Sequence, residues 1–426
     1  MPTDLWHRTR YARHALPRSA LFVVACLVVV GCKERTPAND PPVSGSASAN
    51  RQRWYRVEVV VKDYETVPFF LGVRSGDPIA VIDNGEDRVE IQADVTETAL
   101  HGRFPVFGTE LTLKQEGPRW IGEWKAIYSN KQNFPLQAVE VATPTPRARF
   151  AEHGPPTANI GGQWRVEIKD FGTGRAVFRQ DEAGVLSGSL VPPEVGDTRY
   201  LSGRVSANTF AMSTFDGIHA YLVDGTILEN GARLEGRWIW PGVNSWTFVA
   251  TRGEAPKVAD LVSAKLRPGA THITLPELDG YAGKPVLVDF FGTWCPACLD
   301  LTPQLVRLHN TYKDQGLVML SIAIEPPGDT EATERQLAEY RKKYGVTWEI
   351  AVRYVDDYTT VIPPEIENAL GFPVTIFVRR DQSVAAVHTA FVSDAARPEH
   401  HAVLQRFEQW AKEIVASPAP TQGAHE

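Results

Sequence analysis

Val286-Leu-Val-Asp-Phe-Phe-Gly-Thr-Trp-Cys-Pro-Ala-Cys298 is the stretch that decides how this chain is read. Pro285–Phe291 is almost continuously apolar, with one Asp, as expected of a strand buried on both faces. Asp300–Tyr312 places Leu301, Leu305 and Leu308 at helical spacing. Cys295 is therefore expected at a helix N-terminus, where free backbone N–H groups and the dipole favour its thiolate. Cys298, one turn on, can close a disulfide and should be the more buried of the two. The outer thiolate would attack a substrate disulfide, and the inner thiol would resolve the mixed disulfide. Pro296 suits the first helical turn, where its missing N–H costs nothing.

Other uses of a cysteine pair fit less well. A structural zinc site needs four ligands, and no second Cys pair or nearby Cys/His set is present, so no metal is expected. Covalent haem attachment wants a His after the second Cys, where this chain has Leu299. A passive disulfide across two residues closes too short a loop to stabilise much. No cofactor is expected beyond the Cys295–Cys298 disulfide itself.

The chain has 426 residues and a formal net charge of −7, the wrong sign for binding nucleic acid through phosphate contacts. Its N-terminus carries Arg8, Arg10, Arg13 and Arg18, then the apolar run Leu21–Gly31, too short to span a bilayer as a helix. This fits a signal peptide over residues 1–31. Val29-Val30-Gly31-Cys32 resembles the lipobox of bacterial lipoproteins, which implies cleavage before Cys32 and lipidation of its thiol. An ordinary signal peptide or a short anchor remains the alternative. The expected address is lipid-anchored, on the periplasmic side of the cell envelope. Lys33 stands where enterobacterial inner-membrane lipoproteins carry an Asp. Cleavage would leave 40 basic and 50 acidic residues, which argues against an additional polybasic membrane patch. With Cys26 removed and Cys32 lipidated, Cys295 and Cys298 are the only cysteines left for chemistry.

Residues 32–50, rich in Pro, Ser and Ala, read as a flexible tether. From Trp54 to about Val249 short alternating runs recur, including Val57–Val61, Val89–Val95, Trp164–Ile168 and Trp246–Val249. Asn84-Gly85, Asp216-Gly217, Asp224-Gly225 and Asn230-Gly231 read as the turns between them. The expectation is an antiparallel all-β N-terminal region in two β-rich units, 51–145 and 159–252, with prolines 144, 146, 155 and 156 at the joint. Two sandwiches or one larger barrel-like sheet both fit. His101-Gly102-Arg103 with Gly122-Glu123-Trp124 echoes Ser202-Gly203-Arg204 with Gly236-Arg237-Trp238, at unequal spacing. A linker at 253–272 leads to an α/β domain over 273–418 and a tail at 419–426. In that domain strands and helices alternate up to Tyr344; a hairpin over Val374–Val387 and a closing helix at Ala402–Ala416 follow.

The strand, Trp294-Cys-x-x-Cys298 and the elements after it resemble the thioredoxin superfamily, and within it the TlpA/ResA-like thiol–disulfide oxidoreductases, over roughly 273–416. The fold class expected is therefore a thioredoxin-like C-terminal α/β domain. Pro303 matches the proline that kinks the family's active-site helix, and Gly371-Phe372-Pro373 matches its cis-proline loop. The resemblance implies substrate contact at Trp294, Phe372 and Pro373, and casts the buried Asp289 as a proton acceptor for Cys298, through water. A protonated core Asp with no kinetic role is the other reading of Asp289. In the family an insertion with a helix precedes the strand after Pro373, and Val361–Leu370 could belong to it. Its partners would be exported proteins with disulfides and a membrane thiol electron donor, since the compartment is oxidising.

Three features depart from the family pattern. Ser321 replaces the lysine near the buried Asp, Leu301 replaces the family's active-site Glu, and Pro296-Ala297 is an unfamiliar dipeptide. Asp300, one residue before Leu301, should face another direction. Glu325-Pro326-Pro327 reads as a loop start rather than a substrate contact, and Asp216–His219 as packing rather than a metal or ligand site. The function expected is membrane-anchored disulfide reduction. The alternative is a surface lipoprotein whose β region binds a ligand and whose thioredoxin domain is a docking scaffold.

Overall fold

The structure, a computed structural model, describes residues 51–62, 65–125, 133–193, 196–257, 264–369, 371–397 and 399–419. The expected signal peptide, the lipidation site Cys32, the tether and most of the tail lie outside the described residues. The chain divides into Met1–Ser46 and Ala47–Glu426, and every described residue belongs to the second unit.

The N-terminal region is two closed barrels, neither sandwiches nor a single sheet. The first runs in chain order from β1 (Arg53–Lys62) to β8 (Asn133–Val141), and β8 closes on β1. The second runs from β9 (Gly162–Ile168) to β16 (Asn244–Arg252), closed by β16 on β9. Closure removes the open edges that an antiparallel sheet would otherwise expose. The Gly-x-Trp echo holds: Gly122-Glu123-Trp124 and Gly236-Arg237-Trp238 both lie in the seventh strand of their barrels, each with its Trp buried. The other half does not, because Gly102 lies in a fifth strand and Gly203 in a fourth. Asp224-Gly225 is not a turn but the middle of the strand Ala220–Leu228. A Cβ on Gly225 would sit 2.3 Å from the carbonyl oxygen of Glu235, so glycine there serves close strand approach.

The Asp216-Gly217 turn does form, and it plugs the first barrel. Phe215 stacks on Phe69 at 4.1 Å, and Gly217 O accepts from Trp124 Nε1 (3.0 Å) and Thr109 Oγ1 (2.6 Å). Gly217 has φ of +95°, and a Cβ there would lie 2.1 Å from the Phe104 ring. Asp216 Oδ1 accepts the N–H groups of Ile218 (3.0 Å) and His219 (2.7 Å), which makes this motif structural. No group of three metal-ligating side chains occurs among the described residues.

The C-terminal domain is a five-stranded sheet: β18 (Val286–Phe291), β19 (Val318–Glu325), β20 (Glu349–Tyr354), β22 (Val374–Val378) and β23 (Val384–Thr389). Their order is β20-β19-β18-β22-β23, with β18, β19 and β20 parallel and the β22–β23 hairpin antiparallel. Helices α1 (Pro296–Tyr312), α2 (Thr330–Tyr344) and α3 (Glu399–Ala416) complete it. Residues 361–369 hold no α-helix; Pro363 and Pro364 deny it N–H donors, and β21 (Ile366–Glu367) pairs with β17 (Lys265–Leu266) instead. The edge strand β20 has no counterpart in the sequence reading. One apolar cluster joins the first barrel, the Phe215 turn of the second, Leu287 and Phe291 of β18, and α1.

Candidate active site

Strand β18 is buried along all six residues and delivers Gly292-Thr293-Trp294 to the start of α1. Cys295 is the N-cap in extended conformation; its Sγ accepts the Cys298 N–H at 3.2 Å. Pro296 takes the first helical position. Cys295 and Cys298 form a disulfide with Cα atoms 5.3 Å apart. Cys295 is 6% exposed and Cys298 1%, so the first cysteine is the outer one. Pro303 lies inside α1 and contributes no N–H to the helix ladder. Thr302 Oγ1 there donates to Cys298 O (2.9 Å) and meets the Tyr340 hydroxyl at 3.0 Å.

Strand β22 runs antiparallel to β18, with Val374 opposite Phe290. The loop before β22 and the loop after β18 therefore emerge at the same end of the sheet. The Phe372–Pro373 bond in that loop is cis, and Pro373 O accepts the Ala390 N–H at 2.8 Å. Trp294 and Phe372 meet edge to face at 5.8 Å, and Tyr358 packs on both, at 6.2 and 5.4 Å. Trp294 Nε1 donates to Ile324 O at 2.7 Å. The structure thus brings Trp294 and Phe372 together and adds Tyr358, which the sequence reading missed; an aromatic in a loop without periodicity offers no local signal.

Asp289 is 1% exposed. Side chains alternate along a strand, so Asp289 shares a face with Leu287 and Phe291, which pack in one cluster with Cys298 and Leu301. Burial pushes its carboxyl up to about 7, against a hydrogen bond from Thr375 Oγ1. Ser321, its neighbour across the strand pair, accepts from Trp348 Nε1 at 2.8 Å.

Glu325 is more than a loop start. Its carboxyl is buried behind the motif loop, accepting Thr293 N–H at Oε1 (2.8 Å) and Thr293 Oγ1 at Oε2 (3.0 Å). Burial raises it to about 7, while the two Thr293 bonds pull it down. Asp300 does face away from the disulfide: it points to the second barrel and pairs with Arg199. Burial raises the Asp300 carboxyl to about 6; Arg199 opposes this, and Asp197 and Asp87 add to it. Chemically the site is a cysteine pair closed as a disulfide at a helix N-terminus, with the buried carboxyls of Asp289 and Glu325 each raised to about 7 by burial.

Residues 257–387 match a family model described as AhpC/TSA family. Thiol-disulfide oxidoreductase ResA of Halalkalibacterium halodurans is 25% identical over 143 residues, 32% of this chain and 75% of the relative. The protein of the same name from Geobacillus thermodenitrificans is 26% identical over 157 residues, 36% of this chain and 78% of the relative. A solved thioredoxin-family thiol:disulfide interchange protein from Chlorobium tepidum aligns with 36% of this chain and 98% of its own, at 18% identity and a TM-score of 0.24. Both barrels lie outside the residues matched by the family model.

Proposed function

We propose that this chain, whose C-terminal third is similar to the ResA thiol–disulfide oxidoreductases, is a membrane-anchored reductase of disulfides in exported proteins. The observation that carries this reading is the outer position of Cys295 at the N-terminus of α1, with Cys298 beneath it. The reduced pair starts the reaction. Cys295 Sγ⁻ attacks one sulfur of the substrate disulfide; a Cys295–substrate bond forms, the substrate S–S bond breaks, and the released substrate thiolate takes a proton. Cys298 then gives its proton to Asp289, directly or through water, and attacks Cys295 Sγ. The Cys295–Cys298 disulfide forms and the second substrate sulfur leaves as a thiolate, which takes a proton from solvent or from Asp289. Two electrons pass from the protein dithiol to the substrate. A membrane thiol donor restores the dithiol, and a lipid on Cys32 keeps the protein near that donor.

Trp294, Phe372 and the Pro373 loop would receive the substrate chain beside Cys295. The test is trapping. Reduced Cys298→Ala protein, mixed with a glutathionylated peptide, should accumulate a stable Cys295–peptide disulfide, and Cys295→Ala should not. A stable adduct on Cys298 in the Cys295→Ala protein, with none on Cys295, would reverse the assignment.

A further inference from the structure

The described connection between the strands Val185–Val191 and Leu201–Ser206 of the second barrel reaches both arms of the redox site. Asp197 accepts the N–H (3.1 Å) and hydroxyl (2.7 Å) of Ser393, and the Ser189 hydroxyl at 2.9 Å. Ser393 lies three residues beyond Ala390, whose N–H holds Pro373 O. Two residues after Asp197, Arg199 forks onto Asp300 of α1: Nε to Oδ2 and Nη2 to Oδ1, each 2.9 Å. Its third nitrogen reaches Asp216 Oδ2 at 2.7 Å. The Arg199 side chain is 14% exposed, so this is not a loose surface ion pair. Arg199 also sits at φ 57°, which residues other than glycine rarely adopt.

We propose that Asp197 and Arg199 are positioning residues of the redox site, through which the second barrel fixes the active-site helix and the cis-proline loop and sets the charge felt by Cys295. This rests on the exchange reading above. It gives the β region a part in the thiol chemistry. The charges gathered there are Arg199, Asp300 and Asp216, with His219 3.6 Å from Asp216, and Asp87, Asp197 and Lys343 around them. Asp300 is five residues after Cys295, about 7.5 Å along a helix. That rise is the least separation, since Asp300 faces another direction; a few Å beyond it, with an effective dielectric of about 20, one unit of charge changes a thiolate population roughly tenfold.

The test uses the full chain and the equilibrium of Cys295–Cys298 with glutathione buffers at pH 7. Asp300→Asn removes a negative charge and keeps a partner for Arg199. It should stabilise the reduced form about tenfold, a rise of about 30 mV. Arg199→Met removes the central cation, so it should give the opposite shift, and a value within about twofold of wild type overturns the role given to Arg199. Arg199→Lys serves as the charge-retaining control and should stay near wild type. The proposal is overturned if Asp300→Asn leaves the equilibrium within about twofold of wild type or lowers it. It is also overturned if Asp300→Asn and Arg199→Met both raise it, since that is general loosening of the domain contact. A wild-type protein that exchanges nothing with glutathione would instead overturn the exchange reading itself.

Discussion

Asp289→Asn is the perturbation whose size follows most directly from the structure. Burial lifts the Asp289 carboxyl from 3.8 to about 7. The folded protein therefore holds this proton more tightly than the unfolded chain does. Its contribution is fully present below pH 4 and is lost as pH rises to 7, at about 1.4 kcal/mol per unit. Asn carries no such titration. Relative to wild type, the Asn variant should gain about 3 kcal/mol between pH 5 and pH 8. Glu325 titrates in both proteins and cancels in the difference. The assay is urea unfolding of the oxidised proteins, followed by tryptophan fluorescence at pH 5, 6, 7 and 8. Two stability curves that run parallel across that range would refute the buried, protonated Asp289. The kinetic counterpart is a resolving step that accelerates about tenfold from pH 6 to pH 8 in wild type, as Asp289 ionises, and that is slower than wild type at pH 8 in the variant, where the Cys298 proton must leave to solvent.

Three further outcomes follow from the packing. Thr293→Val removes the hydroxyl that bonds Glu325 Oε2 and should cost about 1–3 kcal/mol, more at pH 8 than at pH 5, because the ionised carboxyl loses most; an equal cost at both values would place the carboxyl in water. Gly122→Ala puts a Cβ 1.7 Å from Thr112 O and should destabilise the first barrel by more than about 2 kcal/mol, read as a lowered Tm. Tyr358→Ala should slow exchange with an apolar-flanked glutathionylated peptide while leaving exchange with oxidised glutathione unchanged, measured as single-turnover rates; equal slowing of both would make Tyr358 structural.

The redox motif was legible because its chemistry is written in thirteen consecutive residues, and the apolar strand and helix around it carry their own periodicity. The barrels were legible only as alternating strands. Closure of the first depends on β8 pairing with β1, a contact between distant segments that no local pattern announces. The strand Glu65–Val73 is apolar along most of its length, so alternation did not mark it. The edge strand β20 is short, with half its residues exposed. Arg199 and Asp300 are 101 positions apart, and neither sits in a recognisable motif. Glu325 looked like a loop start because its partner Thr293 lies 32 residues away, beside the cysteine pair.

The most direct test of the exchange account is the midpoint potential of the Cys295–Cys298 pair, measured by equilibration with dithiothreitol and glutathione buffers. The account predicts one two-electron transition near that of thioredoxin, about −270 mV. A transition at the strongly oxidising end, about −120 mV, would contradict a reductase. A pair that never closed into a disulfide would contradict dithiol exchange altogether.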